Sequence, residues 1–272
     1  MTPTPYDRAH AAMEADPENE ALRLAVYDRL ADAQLFLLLE ADPDEDNDII
    51  PQLFETEAGD IVLAFDTEDR LAEFAQGGPV HWAALPGRVI AQHLAGENIG
   101  LGINLGVAES AMLLPPEAME WLTEALTQTP VQTEALPLSF DAPELPPAML
   151  ALLLPAFEAK FDQITGMASH AALAGVTYEG GRRGHVLAIL GAPEEARPGI
   201  AKAMGEALAF SGLDAGELDV TFLSEDDPAA EVVLSKALVL HLPDEEALAA
   251  EEEEEAPRLG PGMDPSKPPF LR

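Results

Sequence analysis

The chain has no cysteine among its 272 residues. That removes disulfides, thiolate zinc sites, iron–sulfur ligation and cysteine nucleophiles together, and it leaves the redox compartment unmarked. Basic residues are scarce: 14 Lys and Arg stand against 50 Asp and Glu, a formal net charge of -36. A summed field of that sign repels phosphate backbones and anionic lipid surfaces, so neither nucleic acid nor membrane is expected as a partner. Long apolar runs are missing too. The longest, residues 148–157, is interrupted by Pro155 and falls well short of the roughly 20 residues a membrane helix needs. Residues 1–20 are acidic and polar with no basic start before an apolar core, so no secretory signal is expected and the cytoplasm is the default compartment.

The acidity is spread along the chain. Residues 1–127 hold 25 acids against 5 bases, and residues 128–272 hold 25 against 9. General solubility is the first reading of that excess and an acidic binding surface the second. A hydrophobic content of 47% is enough to build packed cores in one large domain or two ordinary ones.

Periodicity gives the elements. Asp16-Pro17 reads as a cap and first helical residue, with Leu22, Val26 and Leu30 on one face of a helix over 17–31. Residues 34–40 are a compact apolar run suited to a buried strand. Residues 53–55 and 61–65 flank Gly59-Asp60 as a hairpin, and Asp66 or Thr67 caps a helix with Leu71 and Phe74 inward. A strand over 80–85 follows, then a helix from Pro86 with Val89, Ile90 and Leu94 inward and Gly96 at its end, and later a helix opened by Pro115-Pro116-Glu117.

Residues 128–147 carry five prolines and read as a linker. Beyond it come an apolar helical segment near 149–161 that Pro155 is expected to kink or end, and a hairpin of 171–179 and 183–190 about Gly180-Gly181. A helix from Pro198, a strand at 218–223, a short helix at 227–234 and a strand at 237–242 complete the half. The expected class is α/β (α+β), with two small mixed-sheet domains, each roughly α-β-β-α-β-α-β. They span 1–127 and 148–243, joined by the linker at 128–147. The shared order suggests duplication. The acidic stretch 244–272 repels itself, buries nothing and is expected to be disordered.

Catalytic motifs fail one by one. None of Lys160, Lys202, Lys236 or Lys267 follows a glycine, as a phosphate-binding loop demands. Gly100-Leu101-Gly102 lacks the third glycine of a dinucleotide fingerprint at the right place. The acidic loop at 42–48 has alternate carboxylates, yet Asn47 stands where a calcium loop needs glycine and Leu53 where it needs glutamate. His10, His81, His93, His170, His185 and His241 show no i, i+4 pair, and Gly-x-Ser-x-Gly is absent. Ser169 and His170 are neighbours, which in a strand point to opposite faces.

The most distinctive local feature is the alternation of Ile99, Leu101, Ile103 and Leu105 with Gly100, Gly102, Asn104 and Gly106. A strand built so presents three missing side chains and one amide on one face. Close packing by a helix is the plain explanation. A face for a partner or ligand is the sharper one.

Taken in order, Asp16-Pro17-Glu18-Asn19, the runs 35–40 and 53–74, Gly87-Arg88-Val89, and the runs 100–106 and 113–122 resemble the N-terminal domain of the SseB family of serine-sensitivity-enhancing proteins. The resemblance covers about 17–127, and 148–242 looks similar to that family's C-terminal domain. It implies a soluble bacterial α/β protein linked by name to a serine-sensitivity phenotype, and it supplies no catalytic motif. The expectation is a non-catalytic cytoplasmic module that binds another protein, with no cofactor and no metal. The alternatives are an enzyme or small-molecule sensor with a dispersed site between the halves, and a secreted effector or translocon component.

Overall fold

A computed structural model describes residues 2–41, 49–57, 59–128, 137–212, 218–240 and 242. The acidic loop at 42–48, residues 129–136 of the proline-rich stretch, His241 and the acidic tail lie outside the described residues. The first elements are α1 (Pro5–Ala15), α2 (Glu20–Asp32), β1 (Gln34–Leu39), β2 (Leu53–Thr56), β3 (Gly59–Phe65), α3 (Glu68–Phe74), β4 (His81–Pro86), α4 (Gly87–Leu94), β5 (Gly100–Ile103), β6 (Met112–Leu114) and α5 (Pro116–Thr127). They are followed by β7 (Pro137–Asp141), α6 (Pro147–Phe161), a 3-10 turn at Asp162–Ile164, β8 (His170–Tyr178), β9 (Arg183–Leu190), α7 (Arg197–Phe210), β10 (Leu218–Leu223), α8 (Pro228–Lys236) and β11 (Leu238–Leu240). The fold is α+β, with two mixed sheets.

Two compact units divide the chain. Unit 1 takes Met1–Ala135, Leu145–Phe157 and Pro198–Leu218, and unit 2 takes Leu136–Glu144, Glu158–Arg197 and Asp219–Arg272. In unit 1 the strands run in the order β4-β1-β3-β5-β6, with β1 antiparallel to both neighbours and β3 parallel to β5. β1 and β3 pair only at Phe36↔Phe65 and Leu37↔Ala64. Past that point residues 50–56 enter between them: the Glu40 N–H donates to the Ile50 carbonyl at 3.0 Å, while β2 pairs with β3 from Leu53↔Val62 to Thr56↔Gly59.

The two faces of this sheet are covered unequally. On one, Leu35, Leu37, Val62 and Ala64 join Val26 and Leu30 of α2, Ile90 of α4 and Leu122 of α5 in the main core. On the other, Leu38, Ile61, Leu63 and Phe65 meet, among the described residues, one short helix through Leu71 and Phe74, with Phe54, Leu105 and Val107 beside it. Gly87 shows how tightly the first face is packed, since a Cβ there would sit 1.9 Å from the Leu30 carbonyl oxygen where α2 ends against α4.

Unit 1 also recruits a helix from far along the chain. Phe210 at the end of α7 is 3% exposed and belongs to the main core, with its ring 6.0 Å from that of Trp121, which in turn meets Tyr27 edge-on. Arg88 of α4 donates to both carboxylate oxygens of Glu206 in α7, at 3.2 and 3.1 Å, and to Asp32 of α2. Two parallel bonds of this kind fix orientation as well as distance.

Unit 2 is built on the β8–β9 hairpin, which pairs from His170↔Leu190 to Thr177↔Arg183. β10 lies beside β9, while β7 and β11 share the outer edge of β8. Asp227 caps α8 by accepting the Ala229 N–H at 2.8 Å, and α8 sends Ala230 and Val233 into a core with Ala172, Ala174 and Val186. The Tyr178 hydroxyl donates to Asp219 at 2.6 Å under the Arg182 guanidinium. Burial and the Asp219 carboxylate both push that phenol above its usual range.

Several expectations are corrected. α1 is an additional helix: Thr4 and Asp7 form a reciprocal capping box, Asp16 closes the helix, and Asn19, not Asp16, caps α2. α1 escapes the pattern because it buries only Tyr6 and His10. Inside the proline-rich stretch, residues 137–141 form β7, where Pro137, which has no N–H to donate, stands at the first residue. α6 continues through Pro155. Duplication is not supported, because the strands thread differently. After the first crossover helix β4 returns beside β1, the first strand of its pair, whereas β10 returns beside β9, the second of its pair.

Phe210→Ala opens a cavity against Trp121 and should cost about 3–4 kcal/mol in urea unfolding. A loss below about 1 kcal/mol would show that α7 is not part of the core of unit 1.

Candidate functional site

In open sheets, ligands sit beyond the carboxyl ends of neighbouring parallel strands. Here those strands are β3 and β5, and the residues that follow them are Asp66 and Asn104. Asn104 has φ +53°, which turns the chain sharply out of β5, and its amide oxygen accepts the Asp66 N–H at 3.2 Å. Thr67 caps α3 by accepting the Arg70 N–H, so the first turn of α3 swings Arg70 back over the strand ends.

The first turn of α1 fills this place. Arg70 donates to Asp66 at 2.5 Å and to Asp7 at 2.7 Å. The other Asp7 oxygen accepts the Ser110 hydroxyl at 2.5 Å, and Ser110 in turn accepts from the Asn104 amide at 3.3 Å. Thr4 closes the ring, donating its hydroxyl to Asp66 at 2.6 Å and its N–H to Asp7 at 2.9 Å.

Burial alone would raise the Asp7 carboxyl. Hydrogen bonds from Arg70, Ser110 and the Thr4 N–H outweigh it and hold the group at about 2, against an ordinary 3.8. The same contact, led by the bond to Asp7, raises Arg70 and keeps it charged. Each of these polar groups is turned inward upon another. The arrangement therefore fixes the start of α1 to the sheet and presents neither a base nor a nucleophile to a substrate.

The glycine-lined run is distributed between two settings. Gly100 and Gly102 lie in β5, and a Cβ on Gly102 would stand 2.6 Å from Leu105 Cδ1 and 2.7 Å from Leu63 Cδ2. A Cβ on Gly100 would stand 2.7 Å from the Leu114 carbonyl oxygen. The strand ends at Ile103, and Asn104 and Gly106, with φ +53° and +80°, belong to the turn beyond it. The four residues thus share no single face, and the space beside Gly100 and Gly102 is filled by this chain's own atoms.

The described histidines lie on separate elements, and no group of three metal-binding side chains occurs among the described residues. His185 lines a recess of about 250 Å³ in unit 2 with Asp141, Glu144, Gly175 and Arg183. The recess is shallow, and the 3.8 Å ion pair of Arg183 with Glu144 that borders it is exposed on both sides.

A second feature of unit 1 is its outer strand. β4 pairs with β1 without a break from Gln34↔Pro86 to Leu39↔His81, and no strand among the described residues pairs with its other edge. Leu38↔Trp82 and Phe36↔Ala84 place Trp82 and Ala84 on the thinly covered face. Trp82 is 39% exposed and its ring meets Phe36 edge-on at 5.3 Å. Motif searching misses this edge because a lone tryptophan in a short strand carries no spacing. It misses the Asp7–Arg70–Ser110 contact because those residues are 63 and 40 positions apart.

Residues 7–121 match the family model of the SseB protein N-terminal domain. The matched span contains every member of the polar ring except Thr4, and also the whole of β4. It stops short of the C-terminal part. No curated protein and no solved structure matches the chain.

Because the Asp7 pKa is lower in the folded state than in the unfolded state, its contribution is complete above about pH 4 and is lost as the pH falls toward 2. Asp7→Asn should cost on the order of 1–2 kcal/mol at neutral pH and flatten the acid limb of stability between about pH 4 and 2. Urea titrations across that range check both. Gly102→Ala should cost about 1–3 kcal/mol through overpacking against Leu63 and Leu105, and an unchanged urea midpoint would contradict the close contact.

Proposed function

From a chain that carries an SseB N-terminal domain over residues 7–121, we propose that unit 1 is a non-catalytic cytoplasmic module that binds another protein along the open edge of β4. An unpaired edge offers a row of main-chain donors and acceptors to an incoming strand. Folded proteins ordinarily blunt such edges with lysine, an internal proline or a bulge. The interior of β4, His81-Trp82-Ala83-Ala84-Leu85, carries none of these, and its register is unbroken.

The observation that carries the reading is Trp82. It is a large aromatic side chain, 39% exposed beside that edge, and tryptophan is among the residues enriched at binding hot spots. The polar ring contributes indirectly. It fixes α1 and α3 around the strand ends, so the face beside β4 is held rigid before any partner arrives.

A photo-crosslinking amino acid placed at Ala84, and at Glu124 on α5 as a comparison, tests the proposal in the native organism. Adducts specific to position 84 that disappear with Trp82→Lys are expected. Identical adducts at both positions, or adducts indifferent to Trp82→Lys, would refute it.

A further inference from the structure

The charge around this edge names the chemistry of its occupant. All five bases in residues 1–127 are arginines, and each is engaged within unit 1. Arg8 donates to the Pro3 carbonyl, Arg23 pairs with Glu20, and Arg29 lies beside Asp28 and donates to the Pro155 carbonyl. Arg70 is held by Asp7 and Asp66, and Arg88 by Asp32 and Glu206. The 25 acids of residues 1–127 thus outnumber five bases that are all already engaged. The sheet face that carries Trp82 bears acids of its own. Glu40 follows the end of β1 that pairs with His81, and exposed Glu68, Asp69 and Glu73 stand on α3, which covers the same sheet face as Trp82.

We infer that the open edge of β4 takes an extended cationic segment of another protein, with Arg or Lys at alternate positions on the side facing Trp82 and the α3 carboxylates. The inference rests on the edge-binding reading given above. Alternation follows from strand geometry, because residues two apart in an added strand share a face. An arginine on that face lies over the Trp82 ring, where a cation is attracted by the π face, and within reach of the acidic rim. Charge brings the segment in from solution, and the edge and Trp82 decide where it lands. A second copy of this chain meets the opposite situation, since two bodies each carrying -36 repel.

The test uses the full-length chain and four labelled nine-residue peptides followed by fluorescence polarisation. Three share apolar residues at one set of alternate positions and carry Arg, Gln or Glu at the other. The fourth is the Arg peptide with alternate backbone nitrogens methylated, which keeps the charge and removes half of the strand donors. The Arg peptide alone should bind, with Kd rising about tenfold or more as salt increases from about 50 to 300 mM. Ala84→Lys and backbone methylation should each weaken it by about tenfold. Equal binding of the Arg, Gln and Glu peptides, all lost with Ala84→Lys, would overturn the cationic occupant and leave the edge reading standing. Arg-peptide binding untouched by methylation and by Ala84→Lys would be adsorption to the acidic surface and would overturn both. A dimer abolished by Ala84→Lys would assign the edge to a second copy. Peptide binding seen only after removal of residues 244–272 would assign it to that segment. Either result overturns the inference. Methylation alters no protein residue, so the outcome does not depend on how well a variant folds.

Discussion

A guanidinium held between two carboxylates organises unit 1. Arg70 is 7% exposed, and burying a cation so deeply is unfavourable unless its charge and its donors are all answered. Asp7 and Asp66 answer them, and they come from segments that have no other reason to meet: the first turn of α1 and the exit of β3. Ser110 and Asn104 extend the same contact to the turn after β5. Three stretches of chain are thereby tied to one point, and the sheet between them is held from its carboxyl end. The cost of losing one partner falls on the remaining charges, so the ring is retained or lost as a whole.

Much of the architecture was legible because its signals are local. The β2–β3 hairpin, the apolar run of β1, the Thr67 cap and the hairpin about Gly180-Gly181 each place the residues that decide the structure within a few positions of one another, although Gly59 and Asp60, expected in the turn, are the first residues of β3. The α+β class and the SseB N-terminal domain followed from such signals. The misses have a common cause. α1 buries only two side chains and holds its position through Asp7 and Arg70, a contact 63 residues long that no window of sequence contains. β7 was hidden by its prolines, which exclude an interior strand but not the first residue of one.

The glycine-lined run teaches the same lesson from the other side. Alternation over 99–106 is real in the sequence, but only Gly100–Ile103 is strand, because Asn104 accepts a left-handed conformation and its amide is needed by Asp66 and Ser110. What read as a single open face is half interior packing and half turn. The feature that does face outward, Trp82 on β4, was visible only as one aromatic residue in a strand. Its meaning depends on knowing that β4 is outermost, and strand order is set by crossovers that periodicity does not encode.

The recruitment of α7 bears on how the chain is made. Residues 1–135 of unit 1 leave the ribosome well before Pro198–Leu218, which complete its core. At translation speeds of about 5–20 residues per second, Trp121 and Arg88 emerge several seconds ahead of Phe210 and Glu206. For that interval the nascent sheet carries an unfilled hydrophobic seam and an arginine lacking one of its two acidic partners. Synthesis order therefore postpones completion of this core until α7 has emerged.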